Sequence, residues 1–291
     1  MTNKWLKVAL MVTAIATGTS IKIDAETVLY VPQDDRPVSL QYTVDTAREA
    51  GMTVLTPPQH LISGKTYQGQ ADQIMAWVEQ NAGRADVMVL STDTLIYGGL
   101  VDSRKHNIPL STLQNRLKRI EGLKARNKNV RIYGFGTVMR SPRASGGGTE
   151  PAYYAEYGPT IFQIAALQDK LDSGSLTQEE TQKLMSLQAS VPVEYLQDWF
   201  DRRQKNMKIN KELIDETRSG VFDYFALGHD DTSQLSQSAL EGRYLNKYSK
   251  DISVEKYGSF PGADQLGLLL MARSRTDVST EKPTFSVIYP L

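Results

Sequence analysis

Short apolar runs alternate with amphipathic stretches along most of the chain, and glycines, prolines and polar clusters separate them. Thr27–Val31, Met52–Leu55, Asp86–Ser91, Val130–Phe135, Phe222–Leu227, Ile252–Tyr257 and Thr284–Tyr289 are compact and rich in β-branched, aliphatic and aromatic residues, so they read as strands. Between them lie helical patterns. Val38–Ala50 ends at Gly51, and Ala71–Asn81 puts Ile74, Trp77 and Val78 on one face. Leu110–Lys128 turns Leu113, Leu117, Ile120 and Leu123 inward, and Gln234–Tyr248 and Gln265–Ser274 follow. Strands that alternate with helices predict an α/β fold with a parallel sheet. Seven strands in this order suit most of a (β/α)8 barrel or a doubly wound, Rossmann-like sheet. Polar clusters follow at least five of them, which slightly favours the barrel, where nearly every strand end contributes to a site.

From about 150 to 219 the pattern is helical with polar breaks such as Asp172-Ser173-Gly174-Ser175. That is too long for an ordinary crossover and predicts a helical insertion beside the sheet or over its carboxyl edge. Trp77, Trp199 and most tyrosines read as packing rather than a sugar platform. The whole of 26–291 reads as one α/β domain.

The start of the chain reads differently. Lys4 and Lys7 precede an apolar, small-residue run from Val8 to Ile21, and Ala14-Ile15-Ala16 and Ile23-Asp24-Ala25 both offer small residues for cleavage. Residues 1–25 therefore read as a secretory signal peptide, which predicts a secreted, cell-envelope or periplasmic protein. No later segment approaches the length of an apolar membrane span. The chain has no cysteine, which excludes disulfides, thiolate catalysis and thiolate metal sites. Lys+Arg and Asp+Glu both number 33, so no net charge points to nucleic acid or an anionic membrane.

Candidate chemistry gathers where the strands end. The run Val221–Gln234, VFDYFALGHDDTSQ, closes a buried strand on His229, Asp230 and Asp231, with Thr232 and Ser233 placed to cap the next helix. Adjacent carboxyl groups suit acid–base work at a glycosidic bond, or the substrate-assisted mode in which a sugar acetamide attacks; crowding would also raise a carboxyl pKa. The same acids could simply cap the helix. Pro32-Gln33-Asp34-Asp35-Arg36-Pro37 is a stiff loop whose arginine can fork onto a carboxylate or diol, or pair internally. Thr92–Gly99 reads as a loop, with Asp93, with Tyr97 able to stack on a sugar or fill the core, and with Gly98 and Gly99 able to admit a ligand closely. Arg140 and Arg143 precede Gly146-Gly147-Gly148 in an irregular loop that lacks the lysine and spacing of a P-loop. No G-x-S-x-G elbow supports a serine triad. Gly262-Ala263-Asp264 could aim an acid inward or cap a helix. His60 and His106 lie in loops without ligand spacing and read as solvated. Asp34, Asp35, Asp93, His229, Asp230, Asp231 and Asp264 together would suit Mg²⁺, Ca²⁺ or Mn²⁺ better than Zn²⁺.

The ordered motifs VPQDDRPVS, STDTLIYGGLVDSR, GFGTVMRSP, LGHDDTSQ and FPGADQLG resemble a bacterial family catalogued as domain of unknown function 4127. The resemblance spans about Glu26 to Leu291 and brings no settled activity. It implies Asp34, Asp35, Arg36, Asp93, Tyr97, Gly98, Gly99, Arg104, Arg140, Asp230, Asp231, Gly262 and Asp264 as marked positions, and His229 stands where the family carries a variable polar residue. Members of that family extend past this endpoint, which, with the closing strand left without a helix, implies a shortened chain.

These observations lead to an exported hydrolase acting on a small-molecule or oligosaccharide substrate, a glycoside first. Asp230 and Asp231 are the expected catalytic pair, the other marked residues and His229 bind substrate, and no cofactor is required. A divalent-metal-dependent hydrolase using the same acids and a non-catalytic saccharide-binding protein are the alternatives.

Overall fold

The computed structural model describes residues 26–144, 147–230 and 233–279. The expected signal peptide, Asp231, Thr232 and the strand expected at Thr284–Tyr289 lie outside the described residues. A six-stranded, all-parallel sheet has the order β2-β1-β3-β4-β5-β6. The strands are β1 Thr27–Val31, β2 Thr53–Leu55, β3 Val87–Ser91, β4 Arg131–Val138, β5 Tyr224–His229 and β6 Tyr257–Pro261. Of the two arrangements the sequence leaves open, the described residues take the open sheet and not the closed barrel.

The inner strands β1, β3, β4 and β5 are buried on both faces, which is why they read as continuous apolar runs instead of alternating ones, whereas the edge strands β2 and β6 are partly exposed. The two-residue period still sorts the side chains. Leu29, Val31, Met88, Leu90 and Leu227 join one core with helices α2 (Ala71–Asn81), α5 (Leu110–Arg126), α8 (Val193–Ser219) and α9 (Gln237–Tyr248). Val28, Tyr30, Val87, Val89, Tyr133 and Phe135 join the other with α1 (Gln41–Glu49) and α10 (Leu266–Val278). Among the described residues no helix is long and apolar enough to cross a membrane.

Three local expectations change. Thr92–Gly99 is not a loop: Ser91 accepts a hydrogen bond from the Thr94 amide and starts helix α3 (Thr92–Tyr97), and α4 (Leu100–Lys105) follows at once. Ile252–Lys256 is a turn closed by the Lys256 amide on the Ser253 carbonyl, 2.9 Å, and the strand is the less apolar Tyr257–Pro261. As an edge strand it tolerates its terminal proline. The helix after β5 is capped by Ser236, which accepts from the Ala239 amide at 3.1 Å, three residues beyond Ser233.

The insertion between β4 and β5 is helical, with α6 Tyr154–Asp172, α7 Gln178–Ala189 and then α8. It builds its own core around Met139, Tyr154, Ile161, Ile164, Leu184 and Trp199 at the carboxyl end of β4. Helix α8 belongs to both cores: Trp199 anchors the insertion, while Ile209, Leu213 and Ile214 pack under the sheet. A polar stripe along α8 collects carbonyl groups at the same edge. Arg202 donates to His106 O at 2.7 Å, Arg203 to Met139 O at 2.6 Å and Arg140 O at 3.0 Å, Asn206 to Ser103 O at 2.8 Å, and Asn210 to Thr137 O at 3.3 Å. Arg203, almost fully buried, also forks onto Glu241 with two bonds of 2.8 Å. Buried donors satisfied by carbonyls fix the loops that carry the site.

Candidate functional site

The strand order reverses between β1 and β3, since the chain leaves β1 for β2 on one side and returns to β3 on the other. In open parallel sheets the crevice outside the carboxyl ends at such a point is the usual ligand site. Here Thr94 ties the two ends together by donating to Pro32 O at 2.6 Å.

A cavity of about 340 Å³ opens there, lined by Asp34, Arg36, Lys65, Leu100, Val101, Arg104, Arg140, Thr149, Asp230 and Asp264. Asp34, directly after β1, is buried and accepts from its neighbour Arg36 at 2.7 Å through Nε. The same guanidinium reaches Asp264 after β6 at 2.8 Å, so Arg36 joins the ends of β1 and β6. Arg140, after β4, donates Nε to Glu150 at 2.8 Å and Nη2 to Thr149 at 2.7 Å. Arg104 projects from α4 and pairs with Asp230, which follows β5. Arg104 is only 4% exposed, and its Nε has no partner. Burial pushes the Asp230 carboxyl up from its ordinary value, while Arg104 and Arg140 pull it back down. Burial likewise lowers the Arg104 pKa, and the facing Arg140 charge adds to that.

Asp93 stands behind this wall. Strand β4 extends past β3, with Ser91 opposite Phe135, so Thr137 lies beside the first turn of α3. Its hydroxyl donates to Asp93 at 2.7 Å. Thr92 crosses the intervening Gly136, where a Cβ would come within 2.4 Å of the Thr92 hydroxyl. Burial raises Asp93 to about 7, the Asp230 charge adds to the rise, and Thr137 opposes it. A buried carboxylic acid near neutrality, coupled to an ion-paired carboxylate on a cavity wall, is the sort of acid–base couple found in active sites.

The marked residues thus divide. Asp34, Arg36, Arg104, Arg140, Asp230 and Asp264 come together on the cavity, and Asp93 supports them from behind. Asp35 turns away: its amide binds Ser63 O at 2.9 Å and its carboxylate accepts from Tyr67. Tyr97 stacks on His106, with ring centroids 4.9 Å apart. Gly98 and Gly99 admit protein rather than ligand, since a Cβ on Gly99 would fall 1.8 Å from the Ser63 hydroxyl. His229 points to α9 and β6, where it meets Ser259 at 2.6 Å and lies against Gly242. Gly262 makes the turn after β6 at φ 91°, a left-handed conformation suited to glycine, and donates its amide to His229 O at 2.7 Å.

His106, expected in solvent, is buried against Asn206 Oδ1 at 2.8 Å, and burial lowers it to about 4. Among the described residues no group of three or more His, Asp or Glu side chains could hold a metal ion; the acids on the cavity wall meet arginines instead. Lys65, Thr137, Thr149, Glu150 and the Arg203–Glu241 pair are not among the residues the sequence singles out, although Thr137 lies inside the GFGTVMRSP motif and Thr149 and Glu150 directly follow the glycine run.

The fold and the cavity define an open parallel α/β protein with an ion-paired polar site at its carboxyl edge. The chain belongs to the family described as Protein of unknown function (DUF4127), whose model matches residues 28–291. No curated protein matches the chain.

Proposed function

We propose that this protein is an exported hydrolase that cleaves a glycoside in the switch-point cavity. The observation that carries the reading is the coupled pair of acids. Asp230 lines the cavity and is held by Arg104, while the buried Asp93 carboxyl behind it is raised to about 7. In this reading Asp230 stays ionised at neutral pH and stabilises positive charge at the anomeric carbon, attacks it or activates water. Asp93 tunes Asp230 through the field between them. Asp231, next in the chain, is the other catalytic acid and supplies the proton to the leaving oxygen. The guanidinium forks of Arg36 and Arg140 suit vicinal hydroxyls or a sugar carboxylate. Export rests on the apolar N-terminal segment after Lys4 and Lys7, and fractionation of cells expressing the full chain tests it.

The test is a panel of chromogenic glycosides, with and without chelator, on wild type, Asp230→Asn and Asp231→Asn. The expected result is turnover that survives chelation and is lost in both variants. Equal rates in wild type and Asp230→Asn would sink the assignment. Loss on chelation, restored by Mg²⁺, Ca²⁺ or Mn²⁺, would move it to a metal-dependent hydrolase.

A second reading, saccharide binding without turnover, is favoured by one feature: each described acid on the cavity wall already has an arginine partner. It expects ligand-induced thermal stabilisation with no product, and only modest weakening in Asp230→Asn.

A further inference from the structure

A second cavity, of about 380 Å³, adjoins the first and has fewer charged side chains on its wall. Its wall carries Val38, Pro261, Ala263, Leu266 and Leu269. Asp230 and Asp264 line both cavities, so the two meet along these carboxylates. The ridge between them is the ion pair of Arg36 with Asp264, 2.8 Å, continued by Arg36 on Asp34 at 2.7 Å. On one side of that ridge are Lys65, Arg104, Arg140 and Thr149; on the other, Val38, Pro261, Ala263, Leu266 and Leu269 share the wall with Gly262 and Gln265, and among the described residues no cationic side chain lines it. The apolar side is open to water: Leu269 is 54% exposed, and Phe260 on the adjoining end of β6 is 38% exposed. The packing demand of the core does not account for Leu269, because the neighbouring Leu266 and Leu270 already fill the sheet-facing side of α10.

We propose that the site is bipartite and takes an amphiphilic substrate. The polar sugar occupies the charged cavity, and an apolar aglycone, alkyl or aryl, lies over Val38, Ala263 and Leu269, so that the bond between the two parts falls at Asp230. This rests on the hydrolytic reading of the first cavity for the position of the scissile bond, but its binding content can be measured without turnover. Small-ligand sites are commonly apolar with a few polar groups that fix orientation, and here the cationic groups all lie on one side of the shared carboxylates.

The experiment is calorimetric binding of paired methyl and octyl glycosides of common hexoses and uronic acids, below the micelle concentration, to wild type, Leu269→Asp and Leu269→Gln. Leu269 is exposed, so neither substitution should disturb folding, and circular dichroism checks this. For at least one sugar the octyl compound should bind wild type about tenfold tighter than the methyl compound, as the burial of a few methylene groups would give. Both variants should lose that difference and keep the methyl affinity. Equal affinity for the two compounds across the panel, an octyl preference that persists in both variants, or no binding by any member would each overturn the inference. Turnover of chromogenic aryl glycosides is followed separately. If octyl preference depends on Leu269 but nothing is hydrolysed, the bipartite site stands and the hydrolytic reading falls.

Discussion

The two edges of the sheet use the same residue types for different ends. At the amino edge Asp223 accepts from the Ile132 amide and from Lys124, both at 2.8 Å, and Asp86 accepts from the Thr27 amide at 2.8 Å. Arg131 donates to Ser274 O at 2.8 Å and also pairs with Glu26. Each of these bonds ties a strand end to another strand or to a flanking helix. At the carboxyl edge the charges face a cavity, Arg104 keeps an unpartnered Nε, and burial raises the Asp93 and Asp230 carboxyls. Acids that bind backbone amides hold strand ends together; acids gathered against low-dielectric walls gain altered proton affinity. The contrast is a better guide to function than the mere presence of acids, which both edges carry.

The largest effect that could break this contrast is on turnover. Asp230→Asn should lower kcat/KM on any hydrolysed glycoside by about 10²–10⁴-fold, the usual range for a positioned acid or base. Asp223→Asn should leave it within about twofold, because that carboxamide still accepts from Ile132. Steady-state kinetics on both variants decides. Comparable losses would mean that Asp230 is as structural as Asp223.

Next in size is the partner. Arg104→Met strands Asp230 at a nearly buried position, and breaking a buried pair on one side costs about 3–5 kcal/mol. Urea unfolding should show a loss toward the lower end, since the Asp230 side chain is 16% exposed. Adding Asp230→Asn to Arg104→Met should recover part of it. If the double variant is no more stable than Arg104→Met, the pair is not the energetic unit described.

Proton linkage sharpens the contrast further. The Asp93 carboxyl is raised from 3.8 to about 7 in the folded protein. Below the lower value both states hold the proton. Between the two only the folded state does, so this group's contribution is lost as pH rises to about 7, and above that it changes no more. The total is on the order of 4 kcal/mol as an upper bound. His106 acts in the opposite sense: burial lowers it from 6.5 to about 4, so its contribution is present above 6.5 and lost as pH falls toward 4. Over the shared window the two slopes oppose each other. Denaturant midpoints measured between pH 4 and 7 should therefore diverge by variant. Relative to wild type, Asp93→Asn should gain stability as pH rises, and His106→Gln should lose it. Parallel curves for wild type and Asp93→Asn would remove Asp93 from the acid–base couple.

Much of the fold was readable because burial on both faces makes β1, β3, β4 and β5 continuous apolar runs, and because α2 and α5 keep their apolar faces at helical spacing. The errors fall where tertiary contacts outweigh local pattern. Tyr257–Pro261 looks unlike a strand, with Gly258, Ser259 and Pro261, and exists as one because β5 offers an edge. Thr92–Gly99 looks like a loop, yet Ser91 caps it into a helix. For the site, Asp34, Arg36, Arg140, Asp230 and Asp264 were legible as polar residues immediately after strands. Arg203, Asn206 and Asn210 were not, because a polar stripe on a long helix reads as a solvated face until the carbonyls of the carboxyl-edge loops are in place to receive it. Asp93 and Arg104 are marked in the sequence as site positions, but their chemistry comes from burial, which spacing alone does not report.

The smallest effect belongs to the amino edge and tests its side of the contrast. Asp223→Ala removes the acceptor of the Ile132 amide and the partner of Lys124 together. Ile132 is the second residue of β4 and is buried, but the Asp223 side chain is 37% exposed, so water can replace part of what is lost. The expected cost is then about 1 kcal/mol, the net worth of one ordinary hydrogen bond with little added by a solvent-screened ion pair. Urea unfolding should register that loss at low salt and nearly all of it at high salt, since the backbone bond is not screened as the ion pair is. Glycoside affinity and kcat should not move. A larger loss that vanishes with salt would put the ion pair first, and any change in kcat would mean that the amino edge communicates with the cavity through β4, whose far end carries Thr137 and Arg140.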